Sequence, residues 1–483
     1  MEEPMPMRRA TTASWIVLAS LSGLPTWAAA APPVSLGTAV RHALDHNPQI
    51  QAAQEQIEAA QAQLDQAIGH LLPRIDLSAT ALRSDGALAA FGSKLNQRSA
   101  TVGDFGLLES GAGIGAAIAG TGAPNAAYAP DALNRPGFYN DWGTKVQVVV
   151  PIYNGGRIWT GKGQAEAMVE AARDQELRTR QEIAAQLVQA YLGAVTATAY
   201  VEVAQQGRKA TEEYVAIARN LLKGGVIVES DLLNAQVHQA EMESRILEAQ
   251  NQQQQATDYV RMLGNYVDAI ELTLSGDPVL PIPEGDETAL IEMALNQRPD
   301  LLAMKAQSRA AEGQIDQAEA GHRPNLNLIA MSEWHKNKPG LANQASTVLA
   351  QFDLNLYAGG SVKAQTLAAE ADYRRITSLI GQMEEGIRVQ VRQARRNLGA
   401  AAARMEVAHR ALSQAAQATQ LTRNRYREGL TTMAEVLQSE AGLDKARADL
   451  VRARHDQQLA ALDLMLATGQ MKFEDLIRQN GGQ

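Results

Sequence analysis

Residues 47–79 and 298–330 are two copies of one segment. "NPQIQAAQEQIEAAQAQLDQAIGHLLPRIDLSA" and "RPDLLAMKAQSRAAEGQIDQAEAGHRPNLNLIA" align without gaps at an offset of 251, matching Pro48 with Pro299, Asp65-Gln66-Ala67 with Asp316-Gln317-Ala318, and Pro73 with Pro324. A second block aligns at an offset of 204: Tyr153 meets Tyr357, Gly155-Gly156 meets Gly359-Gly360, Arg219-Asn220 meets Arg423-Asn424, Gly225 meets Gly429, Asp231 meets Glu435 and Leu233 meets Leu437. A chain that repeats one series of elements builds its fold from two like halves, so any architecture proposed for one copy must also suit the other. The change of offset places 47 extra residues in the first copy, between Ala79 and Tyr153. That stretch is rich in Gly, Ala, Asn and Pro, and reads as a long surface loop.

Each copy predicts the same order of elements. A helix ends at an X-Pro step, Leu72-Pro73 or Arg323-Pro324, because the residue before proline is pushed out of the α region. Strands follow at 74–84 and 324–334, with Ile75, Leu77 and Ala79 alternating with polar residues in the first copy and Leu326, Leu328 and Ala330 in the second. After the loop (85–142 in the first copy) come strands at 143–153 and 346–357, where Val146, Val148, Val150 and Ile152 share one face and Val348, Ala350, Phe352, Leu354 and Leu356 share another. An apolar face backed by a polar one suits a half-buried soluble sheet, and equally a barrel with lipid outside and water inside.

"VVVPIYNGGR" (148–157) has the composition of a hairpin turn. Its counterpart "FDLNLYAGGS", however, is also followed by a breaker-free helical pattern. Gly155-Gly156 and Gly359-Gly360 are therefore corners where strand becomes helix, and Pro151, which donates no ladder hydrogen bond, belongs at the end of its strand. Helices are expected at 157–222 and 361–427, each a rod of roughly 100 Å at ~1.5 Å per residue. Ile380, Met383, Ile387, Val391, Ala394, Leu398, Ala401, Met405, Ala408, Leu412 and Ala415 form a coiled-coil seam spaced by threes and fours. Both rods break at glycine and resume at 229–263 and 432–469, so each pair closes as an antiparallel helical hairpin.

Aromatics make up only 4 % of the 483 residues and the formal charge is -9, against a nucleic-acid partner and towards long helices. No cysteine is present, which removes disulfides, thiolate metal sites, a cysteine nucleophile and a lipid-modified N-terminal cysteine. Residues 1–30 carry Arg8-Arg9, a short apolar run and small residues, the pattern of a secretory signal; an N-terminal anchor is the alternative reading. No later helix is expected to cross a membrane. The eight histidines are dispersed; His42 and His46 lie one turn apart without further ligands, so neither a metal nor a cofactor is expected. No phosphate loop or nucleophile elbow appears, and an enzyme is not expected.

Four strands cannot close a barrel, which needs about eight or more. Pairing between copies solves this: three chains would supply twelve strands, with helical rods forming a tube beneath. At this point the chain resembles the TolC-like outer membrane efflux proteins. The likeness rests on both copies of the helix-to-proline segment, the corners "PIYNGGR" and "NLYAGG", the loop segment "FGSKLNQ", and the tips "GGVIVESDLLNAQ" and "YREGLTTMAEVLQSE". It implies a mainly α fold with membrane β: a trimeric 12-stranded outer-membrane barrel, four strands per protomer, continuous with a periplasmic α-helical barrel. It also implies two structural repeats, 31–263 and 299–469, joined by an equatorial connection (264–298) and followed by an equatorial tail (470–483). The implied function is an exit duct for a proton-driven or ATP-driven inner-membrane pump, reached through a periplasmic adaptor. A type I protein secretion channel, and a periplasmic coiled-coil structural or adaptor protein, are the alternatives.

The resemblance places Glu435 and Gln438 where such proteins carry acidic pore-lining residues. Three Glu435 side chains would form a cation-favouring ring; the other reading is a helix-end carboxylate favoured by the dipole. Arg425 and Arg427 would bridge neighbouring hairpins or be ordinary surface charges. Gly225, Val226, Gly429 and Leu430 would form the adaptor-docking tips, or the glycines would be plain helix C-caps.

Overall fold

The computed structural model describes residues 34–106, 130–266, 272–274, 276 and 278–471. The expected signal segment 1–30, nearly all of the tail 470–483 and part of the 264–298 connection lie outside the described residues. The entry helix of each copy is two helices. Ser35 caps α1 (Leu36–His46) through Thr38 N at 3.3 Å. Asn47 then ends α1 and starts α2 (Pro48–Gly69), accepting from Gln49 N at 2.8 Å with Pro48 in the first turn. The second copy breaks in the same place, between α7 (Glu287–Gln297) and α8 (Pro299–Glu319).

The long rods are α5 (Arg157–Lys223) and α9 (Ser361–Arg427), each 67 residues. Each folds back into a partner of 36 residues, α6 (Glu229–Gly264) and α10 (Met433–Thr468). The shorter partners leave half of each rod uncovered, and α2 and α8 pack there against α5, with α8 also against α9. Every residue of the expected α9 seam is buried or half-buried. The largest core gathers where these halves meet: Leu36, Val40 and Leu44 of α1, Ile183, Leu187 and Tyr191 of α5, Val260 of α6 and Met465 of α10. Tyr191 Oη donates to Val34 O at 2.9 Å, so this tyrosine is buried without losing its polar partner. One stretch of α5 is apolar enough to cross a membrane by composition, contrary to expectation. Residues such as Leu187, Val188 and Leu192 of α5 are instead buried in this core.

The strands β1 (Arg74–Ser84), β2 (Tyr139–Asn154), β3 (Asn325–Lys336) and β4 (Gln344–Asp353) form one antiparallel sheet in the order β1-β2-β3-β4. Among the described residues both outer strands have an open edge. Register assigns the faces: Leu77, Val146, Ser332 and Ser346 lie on one, Ser78, Lys145, Glu333 and Ala345 on the other. The first face also carries Ile75, Val148, Val150, Leu328, Val348 and Phe352; Trp142 and Trp334 stand near its far end. An apolar band with aromatics near its two ends is what a membrane barrel presents to lipid. The reverse face carries Asp76, Thr80, Asp141, Gln147, His335 and Gln351 together with Leu82, Val149, Ile329, Met331 and Leu349, and is the more polar of the two.

Several expected boundaries need correction. β2 begins at Tyr139 instead of 143, because Ser84 still finds a partner there. β4 runs from Gln344 and ends at Asp353, opposite the first residue of β3; Leu354 and Leu356 have no strand to pair with and are exposed. Pro151 does not end β2. It lies at a bulge between Pro151 and Tyr153, and the strand continues to Asn154, the kind of site that tolerates a missing N–H. The expected loop 85–142 contains α3 (Ala87–Asn96), a 3-10 turn (Val102–Phe105) and the single turn α4 (Asp131–Asn134); its residues 107–129 lie outside the described ones.

Pro73 and Pro324 each lie immediately before a strand, and Arg323 adopts the extended conformation that proline demands. At the other corners Gly155 and Gly156 have φ of 66° and 88°, and Gly359 and Gly360 have 61° and 81°. The corners differ in their surroundings. A Cβ on Gly155 would lie 2.6 Å from Arg323 Cβ, and Arg323 Nη1 donates to Gly155 O at 3.1 Å; a Cβ on Gly359 would meet nothing within 4 Å.

Candidate functional site

The far ends of the two hairpins lie side by side. Each rod ends at a glycine in the left-handed region, Gly225 at φ 70° and Gly429 at 72°, and the next residue closes back: Val226 N donates to Leu221 O at 2.9 Å and Leu430 N to Arg425 O at 2.8 Å. Both glycines are thus helix C-caps of the Schellman type. Val226 and Leu430 remain exposed at the tips. Beneath them Tyr214, Val215 and Ala218 of α5, Ala235 of α6, Tyr426 of α9 and Met433 and Val436 of α10 make a small core joining the hairpins.

Glu435 and Gln438 are both exposed, one turn apart on α10. Glu435 belongs to the start of that helix: its N–H donates to Thr432 Oγ1 at 3.3 Å, and Thr431 Oγ1 donates to its carboxylate. Arg425 and Arg427 are exposed and form no ion pair among the described residues. The adjacent rods are held together by residues that sequence reasoning passed over. Arg423 Nε donates to Tyr214 Oη at 2.9 Å; Tyr214 Oη donates to Glu440 Oε2 at 2.6 Å; Arg423 Nη2 lies 3.6 Å from that same oxygen. The Arg423 guanidinium also sits 5.2 Å from the Tyr214 ring centroid.

This network joins α5, α9 and α10 in one buried knot. Glu440 is 1 % exposed and its Oε1 has no hydrogen-bond partner. Burial, and then the Glu440 carboxylate, push the Tyr214 hydroxyl pKa up, so it stays a donor. Asp444, one turn along α10, has its pKa raised by burial and by Glu440, against the pull of Arg447. Sequence held one signal for the knot: Glu440 interrupts the apolar series Met433, Val436, Leu443 and Ala446 at a position facing the partner helices. A second signal, Arg423, was visible only as a repeat-matched residue.

His42 stacks between His46 and Tyr266, and its Nδ1 lies 2.8 Å from Gly264 O, tying α1 to the end of α6. Among the described residues no group of three or more His, Asp and Glu is placed to hold a metal.

The chain matches the family model "Outer membrane efflux protein" over residues 39–107, 122–263 and 290–470. It is 24 % identical over 328 residues to the alkaline protease secretion protein AprF of Pseudomonas aeruginosa, covering 65 % of this chain and 66 % of that one. It is 27 % identical over 201 residues to the outer membrane protein TolC of Vibrio cholerae, covering 40 % of this chain and 46 % of that one. These aligned stretches span less than two thirds of either relative. Its fold is similar to the crystal structure of the Campylobacter jejuni CmeC outer membrane channel, with TM-score 0.71 and 16 % identity, over 92 % of this chain and 88 % of that one. With a family model covering most of the sequence, and strands, corners and rods in the order that fold requires, the chain belongs to the outer membrane efflux protein family.

Proposed function

We propose that three copies of this chain form the passive exit duct of a tripartite export system. The observation that carries this is the four-stranded sheet, mainly apolar on one face and more polar on the other, with both edges open among the described residues and long helical rods leaving one end. Open edges demand partners, and three sheets give twelve strands, enough to close a barrel. The rods, roughly 100 Å long at ~1.5 Å per residue, would continue the lumen into the periplasm. Their tips, with Val226 and Leu430 exposed, would dock a periplasmic adaptor that links the duct to an inner-membrane pump. Such a duct performs no chemistry and needs no cofactor.

The gate would lie at the same tips. Glu435 from three chains would line the pore, with Gln438 one turn behind, and the Arg423–Tyr214–Glu440 knot would hold the second hairpin against the first. Arg425 and Arg427 are exposed and form no ion pair among the described residues, a placement that suits contact with the neighbouring protomer. Membrane fractionation combined with native gels tests the assembly: the expected result is a heat-sensitive trimer in the outer membrane, and a soluble monomer would overturn it. Type I protein secretion is a second reading, favoured by the names of two relatives, AprF and the proteases secretion protein PrtF of Dickeya chrysanthemi. An ATP-driven transporter encoded beside this chain would favour it; a proton-driven pump would favour efflux.

A further inference from the structure

The segment between β1 and β2 does not hang free of the sheet. Gln97, just after α3, is 6 % exposed, and its Nε2 donates to Asp141 Oδ1 at 2.7 Å and to Asn140 O at 2.9 Å, while Tyr139 Oη donates to its Oε1 at 3.0 Å. Asp141 is itself 7 % exposed, with its Oδ2 2.9 Å from His335 Nδ1. Strand parity puts Asp141 on the face that carries Lys145 and Gln147, which is the polar face. Arg98 Nη2 reaches across to Gln344 O on β4 at 2.8 Å, and Lys94 pairs with Asp104 at 2.6 Å, holding the 3-10 turn against α3. The segment is therefore fastened to the polar side of the sheet, at the end away from the rods.

The orientation of α3 follows from the same contacts. Ala90, Ser93 and Gln97 are buried, whereas Leu88 is 87 % and Leu95 49 % exposed. At ~100° per residue, Leu88 and Leu95 share a stripe directly opposite the buried one. That stripe faces away from the sheet wall. Val102 and Phe105, carried on the attached turn, are also exposed large apolar residues.

We infer that residues 87–105 of each chain project into the outer mouth of the duct and meet the same residues of the other two copies, forming a constriction at the end opposite the periplasmic tips. This rests on the trimeric barrel reading. The occupant of the apolar stripe is a second copy of this chain, because the polar face of a closed barrel surrounds its axis and a helix fastened to that face points its free side inwards. Contact with the other two copies would take the Leu88 stripe out of water, which favours that packing.

The chain has no cysteine, which makes thiol access from outside intact cells a clean test. Gln147→Cys lies mid-barrel on the polar face and Val148→Cys on the apolar one. With the native segment, a small maleimide should label Gln147→Cys but not Val148→Cys, and a maleimide carrying a bulky polyethylene glycol should fail at Gln147→Cys. Replacing residues 86–138 by the short β3–β4 turn, or undocking the segment with Gln97→Ala and Arg98→Ala, should restore labelling by the bulky reagent. Equal labelling by both reagents with the native segment would overturn the constriction, as would exclusion that persists in both altered segments. Preferential labelling of Val148→Cys would instead overturn the barrel reading, and the constriction with it.

Discussion

The two hairpin tips are built from the same repeated pattern, yet they are not equivalent. At the first, α5 and α6 turn through Gly225, and α6 contributes only small or apolar residues, Ala235 and Met242, to what is buried beneath. At the second, α9 and α10 turn through Gly429, and α10 buries Glu440 between helices with Arg423 above it. Apolar packing tolerates sliding of one rod against another; a buried carboxylate does not, because moving it breaks hydrogen bonds that water cannot replace. Duplication supplied two like hairpins with an arginine at matching places, Arg219 and Arg423, and Glu440, where the first copy has Gln236, gives only the second a buried carboxylate to hold.

The largest effect is expected where that difference is removed. Arg423→Ala leaves the Glu440 carboxylate buried without its cation; losing one partner of a buried pair costs about 3–5 kcal/mol. The lower end applies because the Arg423 side chain is 22 % exposed. Thermal unfolding should show the loss, and single-channel recordings should show a larger open conductance. A variant as stable and as closed as the parent would remove the latch. Tyr214→Phe takes away the donor to Glu440 and the acceptor for Arg423 Nε but keeps the cation beside the carboxylate, and should cost less, about 1–3 kcal/mol.

The strand-to-helix corners give the next contrast. Gly155→Ala and Gly359→Ala both force alanine into left-handed backbone, at about 1–2 kcal/mol. Only the first also drives a Cβ against Arg323. Gly155→Ala should therefore lower thermal stability clearly more than Gly359→Ala; equal losses would show that the close approach is relaxed at no cost.

Asp444 offers a smaller effect of opposite sign. Burial and Glu440 raise its folded pKa above the ordinary 3.8, so its contribution is present below that pH and lost as pH rises through the folded value. Asp444→Asn should accordingly stabilise the chain at neutral pH, with the gain shrinking towards pH 3.8. A destabilised variant would mean the Arg447 pair outweighs burial. The smallest structural effect is expected at Glu435, which is exposed: Glu435→Ala should leave stability nearly unchanged while reducing cation selectivity in a planar bilayer. An unchanged selectivity would remove it from the pore.

Much of the architecture was legible because it depends on local rules applied twice. Pro73 and Pro324 stop helices, the Gly-Gly pairs turn corners, and the α9 seam follows from spacing alone. Pro151 misled because a proline can sit at a bulge as well as at a strand's end, and which occurs depends on the partner strand. The segment after β1 misled for a similar reason: its Gly and Ala content hid α3, whose helix is short and depends on docking through Gln97.

The candidate gate divides along the same line. Glu435 and Gln438 were singled out by the family resemblance, and the two cap glycines by their matched places in the repeat. The Arg423–Tyr214–Glu440 knot was not, since its members come from three helices and are 226 residues apart at the widest. Sequence by itself determined the duplication, the order of strands and rods, and the residues at the strand-to-helix corners and rod tips, because periodicity and backbone restriction act over a few residues. Only the tertiary structure decided which polar side chains are buried together, that the first segment lies on the more polar face of the sheet, and that its Leu88 stripe is left exposed among the described residues. Those outcomes depend on which surfaces meet, and no local preference specifies that.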